Sequence, residues 1–223
     1  VNSSIPVTLD LVDFYNVPDA LPAPPNGTYV NVVDFGADPT GTKDAKSAFD
    51  AAVKAAAAAA VSGASIVWIP PGDFLLSDHV VVEDDVSVRG AGPFYTVLRG
   101  QPQVDGSHHS VGVYGKTAPS ASQNVSIMDL AIEGKVISRC DSCDVNAVGG
   151  GLGSGSLIQN VWVRHTKCGF WLDGPFEDLH VLGCDIRNTN SDGINLHGGI
   201  SHVTIEQTRV GEWVILRPTA SAK

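Results

Sequence analysis

Charge is scarce in this 223-residue chain, and positive charge most of all. Asp, Glu, Lys and Arg together make up 17 % of it, below the usual share of roughly 25 %. Only 14 Lys and Arg stand against 24 Asp and Glu, for a net charge of −10. So few cations cannot track a phosphate backbone, which argues against nucleic acid as a partner. The same shortage suits a neutral glycan better than an anionic polysaccharide. Long hydrophobic runs are also missing. No stretch reaches the ~18 consecutive apolar residues of a membrane span, and the Ala run at 55–60 is too short and too weakly apolar. No membrane partner is expected. There is no signal peptide, yet the chain starts at Val1 rather than Met, which reads as a mature or excised segment.

Cysteine is sparse as well: Cys140, Cys143, Cys168 and Cys184. Cys140 and Cys143 form a C-x-x-C, but Cys168 and Cys184 do not supply the second pair that a zinc site needs. No thioredoxin-like βαβ pattern surrounds them, which weakens a redox reading. Two disulfides are the expected use, with buried free thiols as the alternative. Three N-x-S/T sequons, at Asn2, Asn26 and Asn124, join the even cysteine count in pointing to a secreted glycoprotein. His108-His109 lacks a partner cluster, so no metal site is expected.

What the chain does have is 43 % hydrophobic residues, enough for one sizeable core, together with Gly 24 and Pro 13. Val and Ile dominate the apolar segments, which favours many short strands over helices. Residues 1–28 are Pro-rich and read as an N-terminal strap or linker. The domain proper spans 29–223. Its one convincing helix is 44–61, with Asp44 or Thr42 as N-cap, Gly63 as terminator, and Ala48, Phe49, Ala52, Val53 and Ala56 as an apolar stripe.

Beyond Gly63 short strands take over. A polar residue followed by apolar-x-apolar recurs as Asp85-Val-Ser-Val, Asn124-Val-Ser-Ile, Asn160-Val-Trp-Val, Asp178-Leu-His-Val and His202-Val-Thr-Ile. The apolar starts are 39, 36, 18 and 24 residues apart. The last two intervals suit one coil of a parallel β-helix, and the longer two suit coils with inserts such as the Gly-rich 149–156. One coil cannot bury its own inward side chains, but stacked coils share a core and place equivalent positions about 4.8 Å apart. An open end needs a cap. The helix serves one end, and nothing in 211–223 resembles a cap for the other. The expected fold is all-β: a single-stranded parallel β-helix with an N-terminal capping α-helix, which the first of the resemblances below implies is right-handed.

Two resemblances sharpen this. Val30-Asn-Val-Val-Asp-Phe-Gly-Ala-Asp-Pro-Thr-Gly-Thr-Lys-Asp, a helix, and then Trp68-Ile-Pro-Pro-Gly-Asp-Phe-Leu-Leu resemble the opening of the pectate-lyase-like superfamily. Asn160-Val-Trp-Val-Arg-His-Thr-Lys-Cys-Gly-Phe-Trp-Leu-Asp-Gly-Pro-Phe and Ile186-Arg-Asn-Thr-Asn-Ser-Asp-Gly-Ile-Asn-Leu-His-Gly-Gly resemble the mutanase and mycodextranase group, the α-1,3-glucanases of glycoside hydrolase family 87. The likeness is close over 150–210 and loose over 29–100. It implies a secreted, monomeric hydrolase that cleaves neutral α-1,3-glucan with inversion through an aspartate cluster. It implies no cofactor, although a structural calcium ion is allowed.

The same resemblance implies that Asp192, in Asp-Gly-Ile-Asn, is catalytic. Counting residues along the coils stacks Asp173-Gly against Asp192-Gly on neighbouring rungs, both facing out. The bland reading of each is an Asp-Gly turn. Trp171, His165, His197 and Lys167 join Asp173 as candidate substrate contacts, with Trp162 a further aromatic of the same stretch. A buried tryptophan or a solvated turn histidine is the plain alternative for these. The family carries a Gly-Asp-Asp on the next coil, where this chain has Ile215 and Leu216, with Glu212 the nearest acid. The chain is therefore expected to be a truncated or rearranged form of a longer hydrolase, weakly active or inactive by itself. Two other readings remain: a polygalacturonase-like enzyme, for which Asn188-Thr-Asn-Ser-Asp offers a superficial motif, and a non-catalytic glycan-binding β-helix.

Overall fold

The computed structural model describes residues 16–60, 65–101, 110–136, 138–139, 141–174, 176–198 and 200–211. Strand β1 (Tyr29–Asn31) and strand β2 (Thr40–Asp44) lead into helix α1 (Lys46–Ala59). The first coils follow as β3 (Ser65–Ile69), β4 (Gly72–Leu76), β5 (Val80–Val81), β6 (Val86–Gly90), β7 (Thr96–Gly100) and β8 (Val113–Tyr114). The later coils are β9 (Ser126–Glu133), β10 (Asn146–Gly150), β11 (Leu157–Arg164), β12 (Cys168–Asp173), β13 (Phe176–Leu182), β14 (Asp185–Arg187), β15 (Ile194–His197), β16 (Ile200–Glu206) and β17 (Arg209–Gly211).

All of these strands pair in parallel, in two sheets. The larger sheet has twelve strands, with the path β1-β3-β6-β9-β11-β13-β16 along the helix axis. The smaller has five, in the order β5-β8-β10-β12-β15. Inward positions stack into apolar ladders. Val88, Ile127, Ile158 and Val181 form one such ladder in the large sheet. Val80, Val113, Val148, Phe170 and Ile194 form another in the small sheet. The expected fold is the observed one.

The recurring polar residue ahead of apolar-x-apolar is the corner of each coil. Asp85, Asn124, Gly155, Asp178 and His202 share one column, with φ of +61°, +52°, +72°, +56° and +52°. Asp129, Asn160, Gly183 and Gln207 share a second, with φ of +59°, +51°, +62° and +49°. A left-handed backbone costs most residues energy, and Asp, Asn and Gly tolerate it best. Corner side chains also tie rungs together. The Asn124 amide donates to Asp85 (2.9 Å), and the Asn160 amide donates to Asp129 (2.9 Å).

These two columns correct the coil register expected from sequence. Asn160 belongs to the second column, and Gly155 takes its place in the first. The spacings become 39, 31, 23 and 24 residues. The Gly-rich 149–156 is no insert: Gly149 and Gly150 close β10, Leu152 is fully buried, and Gly155 is a corner.

Helix α1 buries Ala48, Phe49, Ala52, Val53 and Ala56, the whole predicted stripe, over the first coil. Phe49 meets Phe74 edge-on at 5.7 Å. Its N-terminus differs from expectation. Ala45 occupies the cap position without a side-chain bond, while Asp44 accepts from the N–H groups of Lys46 and Ser77. Thr42 instead donates to Asp38. Gly63 and the stretch 212–223 lie outside the described residues. The strap from residue 16 runs across the coils: Leu21 N–H donates to the Ala91 carbonyl, and the Tyr95 hydroxyl to the Pro18 carbonyl.

Candidate functional site

Four sequence-selected residues meet on the outer face of the five-stranded sheet, and a fifth stands just before its last strand. Along β12, Phe170 and Leu172 point into the core and are fully buried, so alternation sends Trp171 and Asp173 outward. The neighbouring strand places Asn195 beside Trp171 and His197 beside Asp173. The rings of Trp171 and His197 lie 4.4 Å apart at a tilt of 36°. Lys167, at the start of this stretch, holds its ammonium 5.3 Å from the centre of the Trp171 ring. Asp192 sits just before β15, exposed, and its carboxylate accepts from the Asn195 amide at 2.6 Å.

Lys167 is not the exposed substrate contact that the sequence suggests. It is only 9 % exposed, and its ammonium donates to the carbonyls of Asp141 and Cys143, each at 2.9 Å. His165 stands apart from the other candidates. It is a corner residue at φ +54°, exposed, with its carbonyl accepting from Val136 N–H. Trp162 faces out from the large sheet, edge-on to Phe94 at 4.5 Å and 5.6 Å from the Arg164 guanidinium.

The expected stacking of Asp173 on Asp192 fails. Phe170 pairs with Ile194, so Asp173 lies beside His197 and Asp192 lies level with Cys168. Five residues along the strand and one rung across put the two aspartate Cα atoms about 17 Å apart. The cause is the register slip at Asn160. Counting from Val161 starts one corner too late and shifts every later position in that coil.

Sequence reasoning missed the other half of this face. Tyr114 on β8 is 5 % exposed and lies under His79, their rings stacked at 4.0 Å. Its hydroxyl donates to Asp144 (3.1 Å) and accepts from Asn146 N–H (3.0 Å). Burial, with the Asp144 carboxylate beside it, pushes the Tyr114 phenol well above its ordinary value. On the next rung the ring covers Gly149, where a Cβ would come within 2.6 Å of it. That glycine was the available signal, since a strand glycine marks a close approach. Two stacked aromatic pairs thus flank the glycine-floored rung of β10.

The expectation of two disulfides is also corrected. Cys143 is disulfide-bonded, but Cys168 and Cys184 are free and buried. Burial pushes the Cys184 thiol up to about 11, and it raises Cys168 as well. Cys168 opens β12 and Cys184 lies in the bend between β13 and β14, where buried thiols behave as small hydrophobes. Among the described residues, no group of three or more His, Cys, Asp and Glu could hold a metal ion. No described helix is long and apolar enough to cross a membrane.

Comparison with known proteins agrees with this architecture. The family described as rhamnogalacturonase A/epimerase, pectate lyase-like, matches residues 29–127. The mannuronan C5-epimerase AlgE6 of Azotobacter vinelandii is 30 % identical over 145 residues, which are 61 % of this chain and 16 % of that protein. The catalytic unit of a thermostable α-1,3-glucanase of glycoside hydrolase family 87 from Streptomyces thermodiastaticus superposes with a TM-score of 0.72 at 35 % identity. That match covers 87 % of this chain and 32 % of the glucanase. The Agl-KA catalytic domain superposes with a TM-score of 0.68 at 27 % identity, over 86 % of this chain and 34 % of that one. The chain thus spans about a third of each of these two solved structures. It is a right-handed parallel β-helix of the pectate-lyase-like type, and it resembles the α-1,3-glucanases of glycoside hydrolase family 87.

Proposed function

We propose that the outer face of the five-stranded sheet handles a glycan, and that the glycan is a neutral α-1,3-glucan. One observation carries this reading: the tilted Trp171–His197 ring pair spans two neighbouring strands, and the exposed carboxylate of Asp192, held by the Asn195 amide, stands just before the second of them. The apolar face of a pyranose ring rests on an aromatic surface, while its hydroxyls seek acceptors such as Asp192 and donors such as the Asn195 amide. The solved α-1,3-glucanase at 35 % identity supports the linkage. The disulfide at Cys143 supports a secreted protein, because such bonds persist in oxidising compartments.

In this reading Asp192 is one carboxylate of an inverting glycoside hydrolase. Inversion needs a general acid and a general base with carboxyls about 6.5–9.5 Å apart, leaving room for the attacking water. At about 17 Å between Cα atoms, Asp173 is too distant to be the partner. Asp173 instead shares the glycan face with His197. The same separation favours a second reading, in which these 223 residues hold glucan with little or no turnover.

The test is binding and reducing-end release with nigero-oligosaccharides and insoluble α-1,3-glucan. The wild-type protein is expected to bind, and Asp192→Asn to abolish whatever release there is. Binding to polygalacturonate but not to α-1,3-glucan would overturn the proposal.

A further inference from the structure

We infer that Lys167 is a positioning residue: it sets the orientation of Trp171 and couples that ring to the disulfide-bonded turn at Cys143. This rests on the glycan reading only in what the orientation is for.

An ammonium group has three N–H donors and no acceptor. In Lys167 two of them are spent on the carbonyls of Asp141 and Cys143. Among the described residues it forms no ion pair. Its charge lies 5.3 Å from the centre of the Trp171 ring, where the negative face of the indole attracts a cation. A buried ammonium is costly unless such contacts compensate it, so this seat is specific. The Lys167 backbone is pinned too, donating to the Val145 carbonyl and accepting from Ser191 N–H on the flanking rungs.

Trp171 is therefore held by two groups of different origin. The His197 ring comes from the next strand of the same sheet, at 4.4 Å. The Lys167 ammonium comes from the corner before β12, and its anchor points are two carbonyls of the 141–143 turn. Cys143, the second anchor, is disulfide-bonded, which limits how far that turn can move. Reduction by a dithiol converts the disulfide to two thiols, while the dithiol closes to its own cyclic disulfide. The turn then loses a covalent restraint, the carbonyl pair disperses, and Trp171 loses the ammonium while keeping its His197 contact. A glycan that stacks on Trp171 would bind a ring that must first be ordered, which weakens affinity.

The experiment follows the Trp171 indole N–H resonance, assigned by its loss in Trp171→Phe, together with nigero-oligosaccharide affinity. Lys167→Met keeps the chain length and removes the charge. It is expected to shift the resonance and to weaken affinity about tenfold. Dithiothreitol is expected to shift the same resonance in the wild-type protein and to do little in Lys167→Met, because the link is already cut. Cys143→Ser repeats the reduction genetically, and Lys167→Arg, which keeps the charge over the ring, is expected to recover part of the shift. The proposal is overturned if Lys167→Met leaves the resonance in place, or if reduction moves it equally in wild type and Lys167→Met. If the resonance behaves as stated and the wild-type protein binds no α-1,3-glucan, the positioning role stands and the glucan reading falls.

Discussion

The two sheets of this β-helix turn very different outer faces to solvent. On the twelve-stranded sheet, opposite charges meet across the rungs and, in β14, along one strand. Arg89 pairs with Asp129 at 3.2 Å, Arg99 with both Asp73 and Glu133, and Asp185 with both Arg164 and Arg187. On the five-stranded sheet the equivalent positions carry Tyr114, Gly149, Trp171 and Asn195. There, among the described residues, Asp192, Asp173 and Lys167 form no ion pair. The first face satisfies its own charges and is a solvated wall. The second exposes a carboxylate and aromatic rings without ion-pair partners among the described residues, and it is the face proposed above to meet a glycan.

The largest expected effect breaks the second face from behind. Phe170 is fully buried beneath Trp171. Phe170→Ala is expected to cost about 3–5 kcal/mol, through lost burial and the cavity left in the coil. Urea unfolding measures this, and glycan binding should fall with it.

A smaller effect separates the two faces. Asp185 holds Arg187 through two contacts of 2.7 Å and sits within 3.3 Å of Arg164. Asp185→Asn is expected to cost about 1 kcal/mol, because partly exposed pairs contribute little, and to leave glucan affinity unchanged. Titration calorimetry checks the second half. A loss of affinity equal to that of Asp192→Asn would erase the distinction between the faces.

The smallest effect concerns acid. The Gln123 N–H, and after it the Lys116 ammonium, hold the Asp84 carboxyl below its ordinary range. A carboxylate depressed by folding adds stability that is complete above its unfolded pKa of about 4 and is lost as pH falls through the folded value. The stability difference between wild type and Asp84→Asn should therefore be constant at neutral pH and shrink as pH falls below about 4. Unfolding midpoints across that range test it.

Much of this was legible in the sequence, for identifiable reasons. Corners demand a left-handed backbone, so Asp85, Asn124, Asp178 and His202 mark the coils. The helix stripe from Ala48 to Ala56 shows because its period is regular. Asp192 is singled out because its Asp-Gly-Ile-Asn resembles a family motif, and Trp171, His197 and Lys167 because they lie in the same continuous stretch of sequence. The register was not legible at Asn160, since both corner columns place a polar residue before apolar-x-apolar. The slip misplaced Asp173 by five residues relative to Asp192. The role of Lys167 was hidden because a lysine in sequence gives no sign of two backbone carbonyls waiting for it. Tyr114, His79 and Asp144 were missed because they come from three coils and meet only through the fold.

The most direct test compares two tryptophans, one on each face. Nigero-oligosaccharide affinity is measured for wild type, Trp171→Ala and Trp162→Ala, with folding checked by circular dichroism. If the five-stranded sheet is the glycan face, Trp171→Ala loses affinity by tenfold or more, on the order of 1.4 kcal/mol, while Trp162→Ala binds like wild type. The reverse pattern, with Trp162→Ala losing binding and Trp171→Ala keeping it, would contradict the account.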